Sequence, residues 1–142
     1  MIKGLIMSKK IRLGFIGVGD MGRNHAVSAA LSKAIEITAI CDIDHQAADE
    51  IAARYAVPAF YDAQKMLDSG LVDAIFIGTP HYAHTTNAIM AFNRGIHVLT
   101  DKPVAAQLRD AQRMCEAAER AQKKFAVMFQ QRTSLAHRAL KK

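Results

Sequence analysis

The sequence predicts an α/β protein with a doubly wound parallel sheet, and three observations support this fold class. Short apolar runs alternate with segments of helical periodicity, which is the pattern of successive βαβ units. The first apolar run leads directly into Gly17-x-Gly19-x-x-Gly22, a strand-to-helix turn. Polar residues cluster where the predicted strands end. Right-handed crossovers between six strands then give the order 3-2-1-4-5-6.

Each element has its own signal. Apolar runs bounded by turn residues predict strands at 11–16, 35–41, 57–61, 74–77, 96–99 and 125–129. Helical spacing predicts helices at about 21–33, 44–55, 62–67, 84–93 and 104–121. Asp44 and Asp62 are expected N-caps, and Gly95 is expected just beyond a helix end. Pro58 lacks an N–H, so its strand should lie at a sheet edge. One stripe of the last helix, starting with Val104 and Leu108, should face the core.

The glycine motif predicts a dinucleotide site of the Rossmann type. Gly17 permits a tight turn, Gly19 removes a Cβ from the path of the phosphates, and Gly22 lets the helix approach its strand. The helix N-terminus offers free N–H groups to an anion. The expected cofactor contacts in this turn are Gly17, Gly19, Asp20, Met21 and Gly22. A glycine-rich turn also has a purely structural reading, which the motif alone leaves open.

Asp42 ends the second predicted strand, 20 residues after Gly22. An acid at this distance is expected to bind the ribose hydroxyls of the adenosine half. Its other reading is a turn cap, given Asp44 nearby. A carboxylate here would repel a 2′-phosphate, and no arginine follows directly, so NAD is expected over NADP.

Charge and cysteine content narrow the partner classes. Eight of the 19 basic residues lie in 1–12 or 132–142, where no acid occurs. We therefore expect no nucleic-acid partner, because a binding groove would interleave basic and aromatic residues on the folded body. Cys41 and Cys115 fit no metal spacing, and Cys41 is expected to be a small buried residue. No apolar run is long enough to cross a membrane, residues 1–7 do not read as a signal peptide, and a cytoplasmic location is expected.

Two further motifs add to the glycine turn: Thr79-Pro80-His81-Tyr82-Ala83-His84 and Asp101-Lys102-Pro103. With these, the chain resembles the Gfo/Idh/MocA oxidoreductase family from about Lys10 to Arg132. The family usually has Glu where Asp101 stands, and often Asn where His81 stands.

The resemblance also implies a domain organisation. We expect an N-terminal tail at 1–10, a dinucleotide-binding domain at 11–132, and at 133–142 the start of a connector. Family members continue into a second domain that supplies the substrate pocket, an Asp/His pair for proton transfer and usually the oligomer interface. The chain therefore looks like an N-terminal half, and a homo-oligomer is expected for the whole protein.

Site roles follow from the same resemblance. Lys102 is expected to contact the substrate hydroxyl and assist proton transfer, and partial desolvation would make its pKa tunable. The residues expected around the cofactor are Thr79, Pro80, His84 and Asp101, and those expected on the substrate side are Lys102, His81 and Arg132. A histidine pair three residues apart also suggests a metal, but no third ligand is in view and no metal is expected. His97 is expected to be structural.

The function expected of the parent protein is hydride transfer between a nicotinamide and a sugar, polyol or related secondary alcohol. The isolated chain should bind cofactor without much turnover. Two alternatives stay open: a non-catalytic NAD-binding domain or sensor, and a methyltransferase that binds S-adenosylmethionine through a similar loop. The Asp101-Lys102-Pro103 tripeptide argues against the methyltransferase.

Overall fold

The computed structural model describes residues 9–139, and six parallel strands form its sheet. The strands are β1 Ile11–Ile16, β2 Ile35–Cys41, β3 Ala59–Phe60, β4 Ala74–Ile77, β5 His97–Asp101 and β6 Phe125–Met128. The helices are α1 Asp20–Ala30, α2 His45–Tyr55, α3 Ala63–Asp68, α4 His84–Phe92, α5 Leu108–Ala121 and α6 Leu135–Ala139. The spatial order β3-β2-β1-β4-β5-β6 confirms the predicted doubly wound fold. Residues 1–8 of the predicted N-terminal tail and residues 140–142 of the predicted connector lie outside the described range.

The predicted helix caps are confirmed. Asp44 Oδ1 accepts hydrogen bonds from the N–H groups of Gln46 at 3.0 Å and Ala47 at 3.3 Å. Asp62 Oδ1 accepts one from Lys65 N–H at 3.1 Å. Each carboxylate satisfies donors that the first turn of a helix leaves unpaired. These two acids therefore fix where α2 and α3 begin.

The sheet has a hydrophobic core on each face. Consecutive β4 residues illustrate this, because Ile75 and Ile77 pack into one cluster with Phe92 and Met114, while Phe76 packs into the other. Side chains alternate across a strand, and a parallel sheet is covered on both faces. This explains why β4 reads as a continuous apolar run.

The start of α5 differs from the prediction. The helix begins at Leu108, so Val104 lies outside it, and the Leu108 side chain is 77% exposed. The buried face of α5 is formed by Met114, Ala117 and Ala118. Leu108 lies roughly 120° around the helix from Met114 at 3.6 residues per turn. The prediction was therefore wrong about where the helix begins and about Leu108, whereas Val104 packs against the core from the preceding loop and the stripe around Met114 is confirmed.

Candidate dinucleotide-binding site

Gly17 and Gly22 are required by the fold itself. Gly17 has a φ of +87°, and a Cβ there would lie 2.6 Å from the backbone N of Thr79. A Cβ on Gly22 would lie 2.1 Å from the carbonyl oxygen of Gly17. Real Cβ atoms do not approach backbone atoms so closely, so these positions exclude every other residue. The turn between β1 and α1 is thus packed against the end of β4.

Gly19 differs, because nothing in the fold requires it. Its φ is −61°, and a Cβ built on it meets no atom within 4 Å. The residue is the N-cap of α1 and makes no side-chain capping bond. The first backbone N–H groups of an α-helix have no acceptor within the helix. The open space above Gly19 therefore faces free donors, which fits an anion such as a pyrophosphate.

Asp42 caps the turn that follows β2, which is one of the two roles expected for it. It also hydrogen-bonds the glycine turn, defined as Gly17–Gly22. Its Oδ1 accepts a hydrogen bond from Asp44 N–H at 3.0 Å, and its Oδ2 accepts one from Val18 N–H at 2.8 Å. An ionised carboxylate offers about four acceptor sites. The group therefore retains acceptor capacity for hydroxyls while it fixes the turn.

A cavity of about 350 Å³ opens at the carboxyl ends of β1, β2 and β4. Its lining includes five of the predicted site residues, namely Gly17, Gly19, Asp42, Thr79 and Pro80. It also includes Ile43, Tyr82, Ala83 and Asn87, which the sequence reasoning did not identify. Ile43 is 90% exposed and Tyr82 is 76% exposed. Ile43 follows Asp42, and Tyr82 lies within the Thr79–His84 motif; their exposure at the cavity is a signal that only the structure reveals.

His84 is buried at the start of α4, with 1% of its surface exposed. Its Nε2 lies 2.9 Å from the carbonyl oxygen of Thr79, and its Nδ1 lies 3.1 Å from that of Pro103. Both ring nitrogens are thus directed at backbone carbonyls. The ring thus contacts the backbone of Thr79, a residue that lines the cavity. His81 is exposed in the preceding 3₁₀ turn.

Asp101 ends β5 and Lys102 follows it, and neither residue lines this cavity. The Asp101 side chain is 7% exposed, and its Oδ1 accepts a hydrogen bond from the N–H of Lys102 at 2.8 Å. Lys102 itself is exposed, and the peptide bond between Lys102 and Pro103 is cis. The expected desolvation of the lysine is therefore not provided by residues 9–139.

Arg132 follows β6, whose Met128 pairs with Asp101 of β5. Its guanidinium carbon lies 5.4 Å from the ring centroid of Phe129, within range of a cation–π contact. Arg132 also lines a separate cavity of about 310 Å³ with Gln131, His137 and Arg138. Arg132 thus follows the strand that pairs with β5, and it does not line the cavity of the glycine turn.

Two other predictions concern residues with a structural role. Burial, followed by the charges of Asp42 and Asp62, raises the pKa of the Cys41 thiol to about 12. The thiol is therefore protonated near neutral pH, as expected for a small core residue. His97 Nδ1 accepts a hydrogen bond from Lys124 N–H at 2.9 Å, which confirms a structural role.

Residues 9–139 contain neither a metal-binding cluster nor a membrane-spanning helix. This part of the chain brings together no group of three or more His, Cys, Asp or Glu side chains suited to a metal ion. None of its helices is both long enough and apolar enough to cross a membrane.

Comparison with known proteins identifies the class. Residues 11–129 match the model of the GFO_IDH_MocA family, described as an oxidoreductase family with an NAD-binding Rossmann fold. The chain therefore belongs to the Gfo/Idh/MocA oxidoreductase family. This confirms the resemblance, and it gives the methyltransferase alternative no support.

Particular relatives show the range of that family. The chain is 34% identical over 110 residues to scyllo-inositol 2-dehydrogenase (NADP(+)) of Bacillus subtilis, covering 77% of this chain and 34% of the relative. It is 32% identical over 138 residues to an alpha-N-acetylgalactosaminidase of Shewanella oneidensis, covering 88% of this chain and 30% of the relative. The WlbA dehydrogenase of Bordetella pertussis, solved with NADH and UDP-GlcNAcA, superimposes with a TM-score of 0.86 at 32% identity. That superposition covers 91% of this chain and 38% of the other, so the chain spans about a third of its relatives' length.

Proposed function

We propose that this chain is the cofactor-binding part of an NAD-dependent dehydrogenase that acts on a sugar, a polyol or a related secondary alcohol. The observation that carries the proposal is the contrast among the three glycines. Gly17 and Gly22 are demanded by packing, whereas Gly19 leaves open space at a helix N-terminus. A glycine without a packing reason at that position is what a closely approaching pyrophosphate requires. The purely structural interpretation of the motif leaves Gly19 unexplained.

Asp42 supports NAD over NADP. Its carboxylate lines the cavity and is fixed by two backbone N–H groups, so it cannot move away from a ligand cheaply. A 2′-phosphate beside it would place two anions together in a partly desolvated site. The exposed apolar side chains of Ile43 and Tyr82 offer flanking surface for flat rings of the cofactor. Asp20 would act through its backbone N–H, because its carboxylate would repel a phosphate.

The proposed chemistry centres on Lys102. A bound nicotinamide supplies the hydride acceptor and donor for the alcohol carbon. Lys102 would hydrogen-bond the substrate hydroxyl through Nζ and assist removal of its proton. Asp101 fixes the backbone of this lysine by accepting its N–H. The exposed state of Lys102 means that substrate, or chain outside residues 9–139, would have to exclude water around it.

The domain organisation is part of the proposal. We infer that 11–132 form the cofactor domain, that 133–142 begin a connector, and that a further domain completes the substrate pocket and mediates homo-oligomerisation. The relatives are about three times as long as the matched segment, which supports this division. We also propose a cytoplasmic location, because a buried, protonated Cys41 and an exposed Cys115 suit a reducing compartment.

A second candidate is glycoside cleavage, because one relative is a glycosidase by name. The two functions are separated by their products. A dehydrogenase converts NAD+ to NADH in proportion to substrate, whereas a glycosidase releases an aglycone without net change in the cofactor. A non-catalytic sensor would bind the cofactor and do neither.

The test begins with calorimetric titration of the 142-residue chain with NAD+, NADP+ and S-adenosylmethionine. We expect NAD+ to bind most tightly and S-adenosylmethionine not to bind. Turnover is then measured with a panel of sugars, polyols and nitrophenyl glycosides, on the chain alone and on the gene product that contains it. A chain that binds no dinucleotide would refute the proposal, and aglycone release without NADH formation would favour the second candidate.

A further inference from the structure

We propose that His84 is a positioning residue that holds the Lys102 loop, defined as Asp101–Pro103, against the cofactor cavity. The inference rests on the proposed function, because it assigns His84 an effect on the lysine expected to serve catalysis. It does not require His84 to touch cofactor or substrate. With 1% of its surface exposed, the ring could reach neither directly.

The imidazole connects two loops that are far apart in sequence. Nε2 lies 2.9 Å from the carbonyl oxygen of Thr79, which lines the cavity after β4. Nδ1 lies 3.1 Å from the carbonyl oxygen of Pro103, the residue that follows Lys102. One buried side chain therefore spans the ends of β4 and β5. A shift of the Lys102 loop would separate the carbonyl oxygen of Pro103 from Nδ1 of a ring that is itself shielded from solvent.

These contacts continue to the glycine turn. A Cβ built on Gly17 would lie 2.6 Å from the backbone N of Thr79, so the glycine turn is in direct backbone contact with the loop after β4. The connection thus runs from Gly17 through Thr79, His84 and Pro103 to Lys102. Because the Lys102 side chain is exposed, its placement depends on how its backbone is held. The backbone is held on one side by Asp101 and on the other by His84.

The residue type suits this role. Histidine carries nitrogen atoms on two sides of a short rigid ring, so it can contact one carbonyl oxygen with each of them. A neutral imidazole has one N–H and donates to one of them, while an imidazolium donates to both. Glutamine has donors at one end only, and leucine has none. His84→Gln should therefore retain part of the connection, and His84→Leu should remove it.

The first experiment measures hydrogen exchange at the Lys102 amide by NMR, in the 142-residue chain without cofactor. We expect His84→Leu to raise the exchange rate of this amide about tenfold, and His84→Gln to raise it less, because the loop opens locally. The matched control is His81→Leu, three residues earlier and exposed, which should leave the rate unchanged. Circular dichroism checks that each variant is folded, and His84→Gln decides the question if His84→Leu is not. Unchanged exchange in a folded His84 variant would overturn the inference.

The second experiment follows the Lys102 side chain itself. Reductive ¹³C-methylation preserves lysine charge, and Lys102→Arg identifies the Lys102 signal by its loss. We expect addition of NAD+ to shift this signal in the unmodified chain. In His84→Leu the shift should fall by about half or more, while the dissociation constant for NAD+ changes less than about twofold. A fully retained shift in folded His84→Leu contradicts the positioning role. A missing shift in the unmodified chain instead contradicts the proposed catalytic role of Lys102 at the cofactor site, which separates failure of the proposed function from failure of this inference.

Discussion

The glycine turn, Gly17–Gly22, and the Lys102 loop lie at the same edge of the sheet but are built in different ways. In the glycine turn, backbone atoms form the site, and close packing fixes them: Gly17 touches Thr79, and Gly22 touches Gly17. In the Lys102 loop the proposed catalytic group is an exposed side chain, and only its backbone is held. Cofactor binding should therefore be a property of this chain, whereas catalysis should depend on whatever covers Lys102.

The largest expected effect is on turnover. Lys102→Ala, in a gene product that turns over substrate, should lower kcat by about 10²- to 10⁴-fold, the range for a positioned acid–base group. Affinity for NAD+ should change little, because Lys102 is not among the residues predicted to bind the cofactor. Lys102→Arg should not restore the rate, since a guanidinium stays protonated and is broader. Steady-state rates and a cofactor titration on the same samples measure both quantities. If Lys102→Ala impaired only cofactor binding, the proposed division between a region for cofactor binding and a region for catalysis would be wrong.

The next effect is on folding. Gly22→Ala places a methyl group 2.1 Å from the carbonyl oxygen of Gly17, and we expect it to reduce the free energy of unfolding by about 3 kcal/mol. Gly19→Ala is the matched control, since its methyl meets nothing within 4 Å. It should cost about 1 kcal/mol or less, the difference between glycine and alanine at an N-cap. Urea denaturation of both variants tests the contrast, and equal losses would contradict it.

Gly19→Val tests whether the glycine turn binds the dinucleotide. The side chain would occupy the open space above the α1 N-terminus, so dinucleotide affinity should fall about 100-fold or more, or about 2.7 kcal/mol. The circular dichroism spectrum should be that of the unmodified chain. Calorimetric titration with NAD+ provides the measurement. Unchanged affinity in a folded Gly19→Val chain would mean that the motif is only a turn.

Asp42→Ala should have a smaller effect and a selective one. We expect NAD+ affinity to fall about tenfold and NADP+ affinity to fall less, because loss of the ribose acceptor also removes repulsion of a 2′-phosphate. Asp44→Ala is the matched control, because Asp44 caps α2 but does not line the cavity. It should reduce stability by about 1 kcal/mol and leave the ratio of the two affinities unchanged. A ratio that changes equally in both variants would assign Asp42 to capping alone.

The smallest effect lies away from both regions, at the amino end of β1. Arg12 Nη2 lies 2.6 Å from Asp73 Oδ1, and hydrogen bonds from this guanidinium lower the pKa of Asp73 to about 2 from 3.8. A lowered folded-state pKa means that the carboxylate adds stability above pH 4 and loses it as the pH falls toward 2. Both side chains are about one-third exposed, at 35% and 36%, so screening by solvent keeps the contribution to stability small.

Asp73→Asn should therefore be less stable than the unmodified chain at pH 7, and the difference should vanish near pH 2. Urea denaturation at a series of pH values measures it. Cofactor affinity should be unaffected, because Asp73 lies at the opposite edge of the sheet from the glycine turn. A difference in stability that persists at pH 2 would show that the ion pair is not its source.

The strands, the glycine turn and the helix caps could be predicted from the sequence. Each depends on local chemistry: an apolar run such as Ala74–Ile77, a residue without Cβ at Gly17, a carboxylate at Asp44 that reaches donors two and three residues ahead. Such patterns can be recognised from residues that are close together in the sequence. The start of α5 was misread for the same reason, because periodicity cannot tell where a loop after Pro103 ends.

The contacts that individual side chains make with distant segments could not be predicted. Only the folded chain shows that Asp42 bonds the glycine turn as well as capping its own turn, and that Ile43 and Tyr82 line the same cavity. The same holds for His84, whose two acceptors come from loops after different strands. These contacts arise because parallel strands bring their carboxyl ends to one edge, while sequence spacing carries no record of which backbone carbonyl a buried ring will meet.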